Sequence, residues 1–226
     1  EYLEEQIDSF RNTLLSNRIF PAFASGNQQL MAHASWVIGQ FSGAISKKAT
    51  NSIYECLVGA LRGVSVEYPL HSAAVGSLCE LVEAEVFPPD WKPLLESLLM
   101  GLEEEHRVKG QAMLLESCAQ ANADAVAPFV EAILQALTPV AIRRMDAAFN
   151  EDANCSLDFV TDSLFAAIVS SLEATEDQAC IDDGACARSV QLLCSLLERL
   201  WRTNGVNCPS CRREATLIMQ WLFEHW

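Results

Sequence analysis

Apolar residues recur at intervals of three and four along almost the whole chain, and this periodicity limits the fold more than any motif does. It predicts helices at about 2–24, 28–42, 46–62, 68–84, 91–103, 106–120, 123–148, 158–173, 186–203 and 210–225. Strand-like alternation is nearly absent, and GVSVE at 63–67 is its best instance. Breaks fall at Gly26-Asn27, Gly43, Gly63, Pro88-Pro89-Asp90 and Gly205 with Pro209. Asp90 is placed to cap a helix starting at Trp91. Most loops are short, so consecutive helices must pack as antiparallel neighbours.

A repeat lies beneath the stripes. Steps of 39 residues carry Ala34 to Ala73 and Ala112, and Trp36 to Val75 and Leu114. The helices before them keep the same step: Cys56 to Leu95, Ala60 to Leu99, Leu61 to Met100. A two-helix unit of about 40 residues is the period of HEAT-type repeats. The next small residue in register, Ala166 or Ala167, comes about 15 residues late, and Ala215 later again. In MAHASWVIGQFS (31–42) alanine and glycine would let neighbouring backbones approach, while Trp36 is expected to fill the space between repeats. A glycine inside a helix costs about 1 kcal/mol relative to alanine. Close packing at Gly39 would offset that.

Half of the residues are apolar, enough for a substantial core. The formal charge of −15 argues against direct nucleic-acid binding and suits a basic partner, although acidity can equally serve solubility. Nine cysteines, odd in number and singly scattered, read as reduced thiols. No run of 18 or more apolar residues occurs, so no membrane insertion is expected. A start at Glu1 without methionine and an apolar end, MQWLFEHW, are expected of an internal piece of a longer protein.

RIFPAF (18–23) followed by QQLMAHASWVIGQFS (28–42) resembles a hallmark stretch of the importin-beta (karyopherin) superfamily of nuclear transport receptors, closest to the importin-seven/importin-eight branch. SIYECLVGAL (52–61), the alanine-rich helix at 72–81, VFPPDWKPLLESLLMGLEE (86–104) and DFVTDSLFAAIVSSLEATED (158–177) follow in the order of the middle of such a receptor, and the likeness weakens after about residue 180. The resemblance implies a right-handed HEAT-repeat solenoid that carries protein cargo through the nuclear pore under control of the GTPase Ran. It also implies contact with nucleoporin Phe-Gly repeats and shuttling between cytoplasm and nucleus. The family's amino-terminal repeats, which grip Ran most strongly, have no counterpart in this segment.

Other motifs are weighed against blander readings. Cys208-x-x-Cys211 has the spacing of a zinc knuckle, but no second pair accompanies it, so ordinary loop and helix cysteines are expected and no metal. His33, His71, His106 and His225 lack H-E-x-x-H spacing, and His33 and His71 are read as surface or groove lining. With no nucleophile elbow, P-loop or dinucleotide fingerprint, neither catalysis nor a cofactor is expected. Between Met145 and Ala187 lie ten acidic residues and no lysine or arginine. Glu103, Glu104, Glu105, Asp146, Glu151, Asp152, Asp182 and Asp183 are the candidate contacts for basic cargo or Ran, the alternative being a solvated loop.

The chain is thus expected to be all-α, one solenoid segment of residues 1–226 with hairpins at about 2–42, 46–84, 91–120, 123–173 and 186–225 and acidic loops at about 146–157 and 174–185. Its expected role is protein binding within a transport receptor. A HEAT scaffold or adaptor that never enters the pore, and a zinc-bearing ubiquitin-ligase fragment resting on CPSCRRE, are the rival readings.

Overall fold

Helix boundaries fall where side chains or special backbone conformations satisfy the free amides and carbonyls of a helix end. The computed structural model describes residues 9–63, 66–151, 159–175, 183–202 and 209–225, and every regular element among them is helical. These are α1 (residues 9–24, with a π-helical turn at Leu15–Ile19), α2 (Gln28–Gln40), α3 (Lys47–Leu61), α4 (Tyr68–Glu83) and α5 (Lys92–Leu98). They continue with α6 (Glu105–Ala121), α7 (Ala123–Val126), α8 (Val130–Glu151), α9 (Phe159–Glu173), α10 (Asp183–Arg202) and α11 (Pro209–His225).

Gly26 ends α1 at φ 67°, and the Asn27 side chain accepts the Gln29 and Leu30 amides at 3.0 and 3.1 Å to start α2. Glu85 ends α4 in the left-handed region, at φ 57°. There the Val86 amide reaches the Leu81 carbonyl and the Glu85 amide the Val82 carbonyl, the two bonds of a Schellman turn. The next helix starts one residue later than expected, with Trp91 rather than Asp90 at its N-cap, although Asp90 still accepts the Lys92 amide at 3.0 Å. That helix also ends early, at Leu98, and Gly101 turns the chain at φ 73° before the stripe runs out. Pro128 and its neighbours form a 3-10 turn between α7 and α8, where one continuous helix was expected.

The residues group into two compact units, Glu1–Met100 and Gly101–Trp226. In the first, α2 and α4 make the most extensive pairing, and α3 packs on α4 and α5. Gln28 Oε1 accepts the Glu67 amide at 2.7 Å, and further along Ser77 Oγ reaches the Ser35 carbonyl. Both contacts advance together, so α2 and α4 lie side by side in the same direction, joined through α3, which packs mainly on α4. Gly39 is a point of close approach: a Cβ built there would sit 3.1 Å from Ser77 Oγ and 3.2 Å from its Cα. Ala32, Ser35 and Ile38 share the buried face of α2, and a step of 39 takes them to His71, Ala74 and Ser77, all buried on α4.

Two expectations are corrected. Trp36 is 60% exposed and fills no space between helices. It follows Ser35 by one residue, about 100° around the helix, which turns it off the face that meets α4. Its partner in the repeat, Val75, is buried, so burial is not conserved at that step. His71 does not line a surface: it is buried in α4, whereas His33 is exposed.

In the second unit α6 pairs with α9, α8 with α9 and α10, and α11 with α9 and α10. Arg188 meets Glu131 and Arg199 meets Asp146, so α8 and α10 also run in the same direction. Residues 123–147 are long and apolar enough to cross a membrane by length and composition alone. Of the apolar window within them 44% is buried, and Ile133, Leu134, Leu137, Ala141 and Met145 are fully buried within this unit. Trp221 anchors α11, with Nε1 donating to Thr175 Oγ1 at 3.1 Å beyond the end of α9.

Gly39 and Gly76 give opposite expectations. Nothing lies within 4 Å of a Cβ at Gly76, so Gly76→Ala should stabilise by about 0.5–1 kcal/mol. Gly39→Ala should lose about 1 kcal/mol, because crowding against the Ser77 backbone outweighs the gain in helix propensity. Ile38→Ala should cost about 2–5 kcal/mol, against less than about 1 kcal/mol for Trp36→Ala. Urea denaturation monitored by circular dichroism ranks the four, and a stabilised Gly39→Ala protein would contradict the close approach.

Candidate functional site

The eight candidate acids separate by what their carboxylates already hold. Glu103 and Glu104 lie on the turn after Gly101, and Glu105 opens α6, where a negative charge complements the helix dipole. Glu104 Oε2 stands 3.0 Å from Arg107 Nε and 3.6 Å from His106 Nε2. Arg107 is 4% exposed, and a guanidinium so buried needs an anion beside it. Gly101 lets the turn close over it, since a Cβ there would sit 2.9 Å from Arg107 Nη1. Glu105 pairs with Arg144 of α8, and Asp146 pairs with Arg199 of α10. Glu103 is exposed.

Glu151 ends α8 and Asp183 opens α10, but the placement of their side chains lies outside the described residues, as do Asp152 and Asp182 entirely. Glu104, Glu105 and Asp146 therefore join elements of their own unit, and the structure does not gather the eight acids into one described surface. Part of the charge of those three is already offset by arginines of their own unit.

Glu131, which the sequence reading did not single out, belongs to the same network. Arg188 Nη2 donates to its Oε2 at 3.0 Å, and Arg188 Nε contacts Oε1. Hydrogen bonds from Arg188 hold this carboxyl below its ordinary range, with the Arg188 charge and the Gln135 amide adding to the effect. Its contribution to stability is present above the unfolded carboxyl pKa and fades as pH falls through the lower folded value.

A second acidic group was not legible from spacing. Glu214 on α11 shares its surroundings with Glu173 and Asp162 of α9 and Glu116 of α6. Burial pushes the Glu214 carboxyl up, Arg213 opposes the rise, and the three neighbouring carboxylates add to it. In sequence Glu214 sits beside Arg212 and Arg213, which hides its acidic surroundings.

Among the described residues no group of three or more His, Cys, Asp or Glu could hold a metal ion. Cys208 lies outside them, and so does the side chain of Cys211, so the C-x-x-C pair has no described geometry. Cys56, Cys79, Cys118 and Cys194 form no disulfide. Burial, with Glu55 adding to it, pushes the Cys56 thiol up, away from the thiolate that reactive cysteines need.

The sign for Glu214 is opposite to that for Glu131. A carboxyl whose folded pKa is raised keeps its proton in the folded state, so deprotonation costs stability as pH rises from the unfolded value through the folded one. Glu214→Gln should thus be more stable than the parent at pH 8, by ~0.5 kcal/mol for a partly screened group, and the difference should vanish toward pH 4. Thermal denaturation at four pH values measures this, and a pH-independent difference would mean that the clustered charges do not act on α11.

No protein-family model matches this sequence, and neither a curated protein nor a solved structure resembles it detectably.

Proposed function

We propose that the chain is a segment of a HEAT-type right-handed α-solenoid that binds protein and performs no catalysis, as part of an importin-beta-like nuclear transport receptor. The observation that carries this reading is the same-direction stacking of alternate helices inside each unit. It rests on Gln28–Glu67 and Ser35–Ser77 in the first and on Glu131–Arg188 and Asp146–Arg199 in the second. Hairpins that repeat with a constant sense stack this way, and each one exposes surface for contact along its length. The spacing of the contacts supports the later shift in register: Gln28 to Glu67 spans 39 residues, whereas Asp146 to Arg199 spans 53.

The transport part of the proposal comes from the resemblance carried by RIFPAF and WVIGQF. Basic protein cargo, Ran, Phe-Gly nucleoporin repeats and a nuclear and cytoplasmic location belong to it. A scaffold or adaptor role fits the same helix stacking without passage through the pore. Capture from cell lysate on the full-length protein, with and without Ran loaded with GTP, separates the two: cargo released or loaded by Ran-GTP supports transport, and indifference to Ran supports the scaffold.

The acidic stretch gives the sharper test. Replacing Glu103, Glu151, Asp152, Asp182 and Asp183 by their amides spares the ion pairs of Glu104, Glu105 and Asp146. Stability should change by no more than tenths of a kcal/mol per charge. Association with a lysine-rich cargo should slow several-fold at low salt, and the difference from the parent should shrink as salt rises. Equal stopped-flow rates at both salts would reduce the stretch to a solubilising one.

A further inference from the structure

The first unit holds an open groove of about 410 Å³ between the start of α3 and the turn that follows α4. Volumes of this order are those of small-ligand sites. Ile45, Val86, Phe87 and Pro89 supply apolar walls; Asn51, Glu85 and Thr50, whose hydroxyl donates to the Ser46 carbonyl, supply polar ones. Neither this groove nor its residues belong to the acidic stretch, and the inference stands apart from the transport reading.

Three observations define what would fit. The lining carries one carboxylate and no cation. Asn51 Nδ2 donates to Glu55 Oε1 at 2.9 Å, which leaves its amide oxygen as an acceptor outside that bond. Phe87 is held against Trp91, with ring centroids 5.5 Å apart, and Val86 is fixed by the Tyr54 hydroxyl donating to its carbonyl at 2.8 Å. The apolar side of the groove is thus built on anchored residues. Glu85 occupies a left-handed backbone position, φ 57°, at the turn that ends α4.

We infer that this groove binds an arginine side chain presented by a partner polypeptide. A guanidinium is planar and weakly hydrated, lies flat against aromatic and prolyl surfaces, and offers several N–H donors to separate acceptors. The Glu85 carboxylate and the Asn51 oxygen are the two acceptors. An ammonium meets the same charge but brings a firmer hydration shell and cannot stack, and an uncharged urea group keeps the shape but loses the attraction.

The test uses the isotope-labelled chain titrated with N-acetyl-arginine amide, followed by amide chemical shifts. Shifts should concentrate at residues 45–51 and 85–87, with a Kd of about 1 mM for a ligand this small. N-acetyl-lysine amide and N-acetyl-citrulline amide should each bind about tenfold more weakly or less. Glu85→Gln, an isosteric change at an exposed position, should weaken the arginine probe by about tenfold, and Asn51→Asp should tighten it several-fold. Citrulline binding equal to arginine, shifts located elsewhere, or an unchanged Glu85→Gln titration would each overturn the inference.

Discussion

The approach of Gly39 to Ser77 sets the geometry of the first unit. A Cβ at Gly39 would crowd the Ser77 backbone and hydroxyl, on the contact where that hydroxyl reaches the Ser35 carbonyl. Small residues here do more than permit contact. They bring two backbones near enough for side chains to bond across to main-chain atoms, which ties direction and register together. The surrounding Ile38, Leu78 and Leu81 then bury their full side chains, each worth about 1.5–3 kcal/mol relative to exposure.

The second unit reaches a similar arrangement with different chemistry. Arginines of α10 meet acids of α8 at two places, while Trp221 and Thr175 hold α11 to the end of α9. This changes the meaning of its acidity. A composition of −15 suggests charges waiting for a partner, yet Glu104, Glu105, Glu131 and Asp146 are engaged by arginines of their own unit. Excess negative charge and structural ion pairs coexist, and only the former remains for long-range attraction.

For function, the groove at Glu85 and the acidic stretch make different demands on a partner. The stretch would act through summed, salt-sensitive charge, with little demand on shape. The groove pairs one carboxylate with anchored apolar walls and so would discriminate between cations of equal charge. A protein-binding segment can use both, the first for encounter and the second for selection.

The all-α class and most helix boundaries were legible in the sequence because they depend on local periodicity and on turn and capping residues such as Gly26 and Asn27. The 39-residue step was legible only in part: Ala34 and Ala112 are both buried, but Trp36 is exposed where Val75 and Leu114 are buried, and Leu61 is buried where Met100 is exposed. Tertiary structure alone decided the rest. Trp36 is hydrophobic and regularly placed, but its exposure depends on a rotation of about 100° relative to Ser35 that no composition reveals. Glu214 acquires its acidic surroundings from helices some 40 to 100 residues away in the chain, at Glu173 and Glu116. Periodicity says which face of a helix is apolar; which neighbour covers that face, and which charges meet across it, depends on contacts between residues far apart in the chain.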